Sequence, residues 1–253
     1  MVYDLQKGSI WKRISAWLFD SILVCILAVG IACVLSALLN YDSYSAAVEN
    51  AYIQYETRYG TSFSASEADF AAMTQAQQEA YTAAYNALIA DEQAMYDYNM
   101  MLNLTLIITT ASILTAMAAL EFALPLALGN GQTLGKKIFG LCLVRTDCVK
   151  VNTMQLFTRT VLGKFAIETM IPVYLLLMFF WGNLDLTGTL LLLALAIAQL
   201  AILCLNKSNA LIHDLLAGTA VADFSSQMIF SSTAELVEFQ KKVAAERSAR
   251  QAY

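Results

Sequence analysis

The sequence predicts an all-α integral membrane protein, and two observations carry this prediction: the composition and four long apolar runs. Of the 253 residues, 58% are hydrophobic and 14% are charged, whereas a soluble domain has roughly 45–50% apolar and about 25% charged residues. So few charges could not cover the surface of a soluble domain. Two prolines and eleven glycines favour long helices over many β-turns.

Four runs of the chain are long and apolar enough to predict transmembrane helices, which need about 20 residues each to cross the hydrocarbon core. These runs cover residues 14–39, 101–128, 165–181 and 186–205. Lys7, Lys12 and Arg13 precede the first run, as basic residues precede the core of a signal peptide. The run is longer than the roughly 7–15 residues of such a core, so we expect a retained anchor.

The basic residues predict the orientation of the chain in the membrane. Fourteen of the 15 Lys and Arg residues fall on one side of a four-span arrangement, and positively charged segments stay in the cytoplasm. Residues 129–164 carry six basic residues and one acidic residue, whereas residues 40–99 carry nine acidic residues and one basic residue. We therefore expect a multi-pass protein of the plasma membrane, in contact with the lipid bilayer, with both termini cytoplasmic.

The predicted organisation of the chain follows from these spans. It consists of the N-terminus and first span (1–39), an acidic extracytoplasmic helical hairpin (40–100), the second span (101–128), a basic cytoplasmic loop (129–164), a hairpin of the third and fourth spans (165–205), a cytoplasmic interfacial segment (206–231) and a helical tail (232–253).

The acidic insert is rich in Ala, Gln, Glu and Tyr at helical spacing, which predicts two helices that protrude from the membrane. The break between them lies at the Tyr-Gly-Thr-Ser stretch, and Ser64 with Glu67 matches a capping box for the second helix. Its tyrosines fit the seam between the two helices. The alternative is a face that binds a protein partner outside the cell.

The basic loop opens with GNGQTLGKKIFG, which is similar to a phosphate-binding loop, but the spacing of its glycines fits neither nucleotide-binding pattern. The stretches LCLVRTD and VKVN, joined by a turn at DCVK, predict a small β-hairpin. Thr153 is placed to cap a basic amphipathic helix over 154–164 at the membrane surface. A short strand over 219–222 is expected to join the β-hairpin.

Acidic residues inside the apolar runs are the most informative candidates for function. Asp20, Glu121 and Glu168 each lie within a predicted span, where an Asp near the centre costs roughly 2.5–3.5 kcal/mol. Arg13 shares a helix face with Asp20, but the rise of about 10 Å between them calls for a second partner or a water molecule. Topology places all the candidates near the inner leaflet: Arg13, Asp20, Glu121, Glu168, His213 and Asp214.

Three interpretations of this charged group stay open on the sequence alone: a structural network, a site for monovalent cations or protons, and a site for a polar ligand or lipid headgroup. The outer halves of the spans have no ionisable residue, which favours a site open to the cytoplasm over a continuous relay. No nucleophile–base constellation or Cys/His cluster is present. We therefore expect no enzymatic activity, cofactor or metal, and no nucleic-acid partner.

Three motifs together resemble the RDD family of membrane proteins. They are Arg13-x-x-Ala16-x-x-x-Asp20, GQTLGKKIFGLCLV over 131–144, and HDLLAGTAV over 213–221. Arg13, Asp20 and Asp214 match the three residues that name the family, and Cys148 departs from its usual glycine. The resemblance implies a polytopic membrane protein of a family in which some members are implicated in ion or proton transport and others in membrane-protein assembly.

Overall fold

The computed structural model describes residues 5–129, 131–181, 186–205 and 210–251. The ends of the predicted organisation, the junction of the third and fourth predicted spans and the start of the predicted interfacial segment lie partly outside these residues. The chain divides into two compact units, residues 1–28 with 113–253 and residues 29–112.

The described chain is mostly helical. Its helices are α1 (Ile10–Leu38), α2 (Tyr41–Tyr59), α3 (Glu67–Ala72), α4 (Gln75–Ala90), α5 (Glu92–Met117), α6 (Leu124–Leu128), α7 (Leu134–Ile138), α8 (Thr153–Phe157), α9 (Ile171–Phe180), α10 (Leu186–Leu205), α11 (Ile212–Ala217) and α12 (Thr233–Gln251). Two π-helical segments, Ala118–Ala123 and Thr158–Met170, join α5 to α6 and α8 to α9.

Within the described residues, three helical stretches are long and apolar enough to cross a membrane: Ile10–Leu38, Glu92–Leu128 and Thr153–Phe180. The fourth predicted run forms α10, whose apolar stretch Leu186–Ile202 is shorter than these three. Side chains along the long helices are largely exposed within the chain itself, as Ile26 and Phe179 illustrate at 65% and 62%. Such surfaces suit contact with lipid rather than water.

The third span differs from its prediction. No separate surface helix covers 154–164, because α8, the π segment and α9 form one continuous helix from Thr153 to Phe180. The cap lies one residue earlier than predicted, since the Asn152 side chain accepts a hydrogen bond from the backbone of Gln155. The basic residues of this stretch are consequently drawn into the protein rather than spread over headgroups.

A two-stranded antiparallel sheet forms at the loop between the second and third spans. Strand β1 (Leu141–Arg145) pairs with β2 (Thr219–Asp223), in the register Leu143 to Val221. The predicted second strand over VKVN is wrong: within it, Val149 and Lys150 make only isolated bridges. The turn before it holds Cys148 at φ 66°, a left-handed conformation that glycine adopts without strain.

The core of this unit lies around the sheet. Ala16, Leu141, Leu143, Leu156 and Val221 form one buried cluster. A second cluster, Cys148, Val149, Phe230 and Leu236, attaches the start of α12 to the loop. The packing thus joins α1, the loop and the segment after α10, which are remote in sequence.

The unit of residues 29–112 contains helices where the acidic insert predicts them. Helix α2 ends at Gly60, which adopts a left-handed conformation with φ 64°, and α2 packs against α4 through Tyr55 and Leu88. The capping box predicted for Ser64 depends on the side chain of Glu67, which lies outside the described part of the structure. Among the described side chains, Ser66 and Asp69 form a capping box, in which the Ser66 hydroxyl accepts from the Asp69 amide at 3.2 Å.

Candidate functional site

All six sequence-predicted site residues lie in the unit of residues 1–28 and 113–253. Arg13, Glu168, His213 and Asp214 form one group of contacts. Asp20 and Glu121 each contact other partners, Asp20 at the start of α7 and Glu121 on the third span. Four of the six are at most 6% exposed: Asp20, Glu121, His213 and Asp214.

Asp20 holds the start of α7. One of its carboxylate oxygens accepts a hydrogen bond from the Thr133 hydroxyl, and the other accepts one from the Gly135 amide at 2.8 Å. Thr133 in turn caps the helix through the Lys136 amide. A Cβ on Gly135 would overlap the carbonyl oxygen of Ala16, so only glycine lets α7 approach α1 this closely.

Glu121 is paired with a lysine from the third span. The Lys164 ammonium donates to its carboxylate, and the Thr160 hydroxyl donates to its backbone carbonyl at 3.1 Å. Both contacts join the two π-helical segments. Pairing offsets the cost of burying a carboxylate, which would be several kcal/mol for an isolated charge.

Asp214 is the most enclosed acid of the site, with 0% of its surface exposed. Its Oδ1 accepts from Arg159 Nε at 2.9 Å and from the Thr219 hydroxyl at 3.2 Å. Its Oδ2 lies 3.7 Å from Arg13 Nη2 and has no hydrogen-bond partner among the described residues. Burial raises the pKa of Asp214, but the guanidinium groups of Arg159 and Arg13 outweigh burial and lower the pKa overall.

His213 links the arginine to Glu168. Its Nε2 lies 2.9 Å from Arg159 Nη2, and its Nδ1 lies 2.7 Å from Glu168 Oε2. Because an arginine can only donate, we assign Nε2 as the acceptor and Nδ1 as the protonated nitrogen. Burial lowers the pKa of His213, and Asp214 and Glu168 oppose this only in part. Both observations favour the neutral imidazole.

The carboxylate of Glu168 accepts hydrogen bonds from two neighbouring residues. It accepts hydrogen bonds from the His213 backbone amide at 3.1 Å, from the His213 ring and from the Gln199 side chain of α10. Gly163 makes this contact with α11 possible, since a Cβ there would lie 2.6 Å from the His213 Cα.

The π-helical segment Thr158–Met170 sets the direction of these side chains. Arg159 and Glu168 are nine residues apart, which in an α-helix is a rotation of about 180° between them. A π-helix has about 4.4 residues per turn, so the same nine residues end within about 20° of one another. Both side chains therefore reach His213 from one helix face.

Arg13 and Asp20 share a face of α1 but contact different parts of the protein. The carboxylate that pairs with Arg13 is that of Asp214, at 3.7 Å. Asp20 is seven positions after Arg13 along α1, which puts the two side chains at different depths, so Asp20 contacts α7 and Arg13 contacts α11. The second partner expected for each side chain is present.

Several members of the site were missed from the sequence. They are Thr133, Lys136, Arg159, Thr160, Lys164, Gln199 and Thr219. The basic members of this set had been counted only as positive charge of the cytoplasmic loop. Arg159 and Lys164 lie one π-turn apart. This relation could be recognised only once the segment was known to be π-helical.

The described residues contain no group of three His, Cys, Asp or Glu side chains placed to hold a metal ion. The acids of the site face cationic or neutral donors instead. The site therefore contains ion pairs in a low-dielectric environment. Such pairs can respond to a proton or a small ion that changes the charge of one partner.

Comparison with known proteins identifies the family. No curated protein and no solved structure matches the chain. A family model does match, and it covers residues 7–218, which include Arg13, Asp20 and Asp214, the first two motifs and the third motif as far as Gly218. The chain therefore belongs to the RDD family.

Proposed function

We propose that this RDD-family protein supports the movement of protons or monovalent cations through its buried charged site, without enzymatic chemistry. The observation that supports the proposal is that each of the three candidate spans brings charge into the protein interior. Helix α1 brings Asp20, the second stretch brings Glu121, and the third brings Arg159, Lys164 and Glu168. An anchor needs none of these groups, and each of them is costly in a membrane.

The proposal includes an orientation. With α10 as a fourth span, both termini lie in the cytoplasm of a plasma-membrane protein and residues 40–99 lie outside, because 14 of 15 basic residues then lie on the side of the termini. The site then faces the inner leaflet. Asp214 Oδ2 and Arg13 Nη1 are buried polar atoms without a partner among the described residues, and they are the points at which water or an ion would enter the network.

The test is ion flux in liposomes that contain the purified protein, a pH-sensitive dye and an Na⁺ or K⁺ gradient. We expect flux in the wild type and its loss in Asp20→Asn and Asp214→Asn. The matched control is Asp223→Asn, since Asp223 pairs with Lys12 at the rim of the same sheet, outside the network. Flux that is unchanged in both network variants contradicts the proposed site. Elution as a single species checks that each variant is folded.

A second candidate function is a membrane scaffold that binds another protein outside the cell. The observation that favours it is a set of large exposed side chains on the unit of residues 29–112: Tyr52, Ile53, Tyr85, Ile89 and Tyr96. Replacing residues 41–91 with a short flexible linker separates the two functions. Retained flux supports the charged site, whereas absent wild-type flux together with loss of a co-purifying protein supports the scaffold.

A further inference from the structure

Lys136 differs from the other charged residues of the buried network in the contacts of its charged group. It lies on α7, one residue after Gly135, and only 7% of it is exposed. Among the described residues its ammonium has neither a hydrogen-bond acceptor nor an ion-pair partner. An ammonium has three donors to satisfy, so its charged form is poorly accommodated here while a neutral amine is tolerated.

The groups that face Lys136 do not compensate for its burial. Arg159 and Lys164 face it from the third span and repel a positive charge, whereas Glu121 from the second span and Asp20 from α1 attract it. These two acids already have closer partners, since Glu121 pairs with Lys164 and Asp20 accepts from Thr133 and Gly135. With two cations against two engaged carboxylates, desolvation decides the balance.

The other titratable groups of the network are held in one protonation state by their contacts. His213 receives a hydrogen bond from Arg159 at Nε2, so a second ring proton would point at a guanidinium. Asp214 lies between Arg159 and Arg13, and Glu168 accepts from His213 and Gln199. Each of these groups would lose a partner on changing its charge, whereas Lys136 would lose none.

We propose that Lys136 is the group of this network that binds and releases a proton near neutral pH. The inference deepens the proposed function, on which its role in transport rests, by naming the proton as the ion and the Lys136 amine as its carrier. Burial lowers the pKa of Lys136 to about 7, and Arg159 and Lys164 act in the same direction.

The first test measures the protonation of Lys136 in the wild-type protein, so no variant has to fold. The detergent-solubilised protein is treated briefly with acetic anhydride between pH 5.5 and 10, and acetylation of each lysine is followed by mass spectrometry. Only the neutral amine reacts, so the shape of the pH profile reports protonation and burial changes only its height. Lys137, which is exposed on the same helix, is the matched control.

We expect the rate constant at Lys136, corrected for reagent hydrolysis, to level off between pH 7 and 8, well below the pKa of about 10.4 at which an ordinary lysine approaches its plateau. Parallel profiles for the two lysines overturn the proposal. Absence of acetylation at Lys136 at every pH is resolved by a second measurement, the melting temperature of the wild type against Lys136→Met. A buried lysine with a lowered pKa is destabilising when charged, so stability rises with pH between its native and unfolded values.

The wild type should therefore gain melting temperature relative to Lys136→Met between pH 6.5 and 9.5, whereas Lys137→Met should follow the wild type. A difference independent of pH overturns the proposal. These outcomes do not depend on flux. Flux together with parallel lysine profiles refutes the role of Lys136 and leaves the proposed function unaffected. A Lys136 profile that levels off, without any flux, supports the titration of Lys136 and contradicts the proposed function.

Discussion

Asp20 is held by donors that lie 113 and 115 residues further along the chain. The two bonds give each oxygen of its carboxylate a donor. They also stabilise the N-terminus of α7, because a carboxylate there accepts hydrogen bonds from backbone amides that have no partner within the helix. Gly135 is the residue that allows this contact. An acid that would be unfavourable inside a span is thereby turned into a fixed attachment point for the loop.

Gly135→Ala should weaken this attachment. The new methyl group would overlap the Ala16 carbonyl and lie 3.0 Å from the Asp20 carboxylate, and overpacking of this kind costs about 1–3 kcal/mol. A lower melting temperature in detergent is the expected result. The control is Gly30→Ala, where a methyl group meets nothing within 4 Å and should be neutral or mildly stabilising. Equal melting temperatures for the two variants would contradict the close contact.

Asp214→Asn should destabilise the protein by about 3–5 kcal/mol, because it leaves Arg159 buried without its counter-charge. Since the native pKa of Asp214 is lowered, the carboxylate contributes its full stability above the unfolded value of about 4 and loses it as the pH falls further. The difference from the wild type should be constant from pH 5 to 8 and shrink below pH 4.

Chemical denaturation followed by tryptophan fluorescence measures this difference. Asp223→Asn is the comparison, because the Asp223 pair with Lys12 is partly exposed and pairs of that kind contribute under about 1 kcal/mol. Similar losses of unfolding free energy in the two variants would show that the burial of Asp214 does not increase the cost of removing its carboxylate charge.

At the scale of the element, the long π-helical segment is the feature that decides the geometry of the site. π-Helices are rare and occur mostly as single turns at functional sites, whereas this one runs for 13 residues. It brings Arg159, Gly163 and Glu168 to the side that α11 covers. A regular α-helix would direct either the arginine or the glutamate away from His213.

Gly163→Ala tests this packing of α11 on the π segment. A methyl group would lie 2.5 Å from the His213 Cβ and 2.6 Å from its Cα, so α11 has to move outward. We expect faster hydrogen exchange in the peptide that contains Ile212–Ala217, and no change in β1. Unchanged exchange at α11 would mean that the helix is not held at Gly163.

At the scale of the whole molecule, the charge asymmetry makes a prediction about orientation. An alkaline phosphatase reporter inserted at Ser62, in the turn after α2, should be active because it reaches the extracytoplasmic side. A green fluorescent protein fused after Tyr253 should fluoresce because it stays in the cytoplasm. The reverse pattern would contradict the inner-leaflet placement of the charged site. Each reporter serves as the control for the other.

The sequence predicted what depends on composition and local pattern. The apolar runs, the helical insert and the pairing of the 219–222 stretch with the loop strand were all readable from residue type and spacing. The switch from α to π hydrogen bonding in Thr158–Met170 was not, because it depends on tertiary contacts that stabilise i→i+5 bonds. Without that switch, Arg159 and Lys164 had no evident connection to Glu121 or Asp214.

Long-range pairing explains the remaining errors. The VKVN stretch has the composition of a strand, but only Lys150 bridges β1, at Val144, while Val149 bridges Phe230. Arg13 and Asp20 share a helix face, but the partner of each lies over 100 residues away. Local pattern cannot rank such partners, because their advantage comes from burial that only the assembled fold provides.

The pairing of β1 with β2 also has a consequence for biosynthesis. A ribosome delivers α1 with Asp20 first and supplies Asp214 and β2 only near the end of translation. Until then Arg159 has no counter-charge and β1 has an open edge, so a nascent or truncated chain presents the features that quality-control proteases and chaperones recognise. Release of a chain that stops before Thr219 should therefore lead to rapid degradation rather than to a partly working protein.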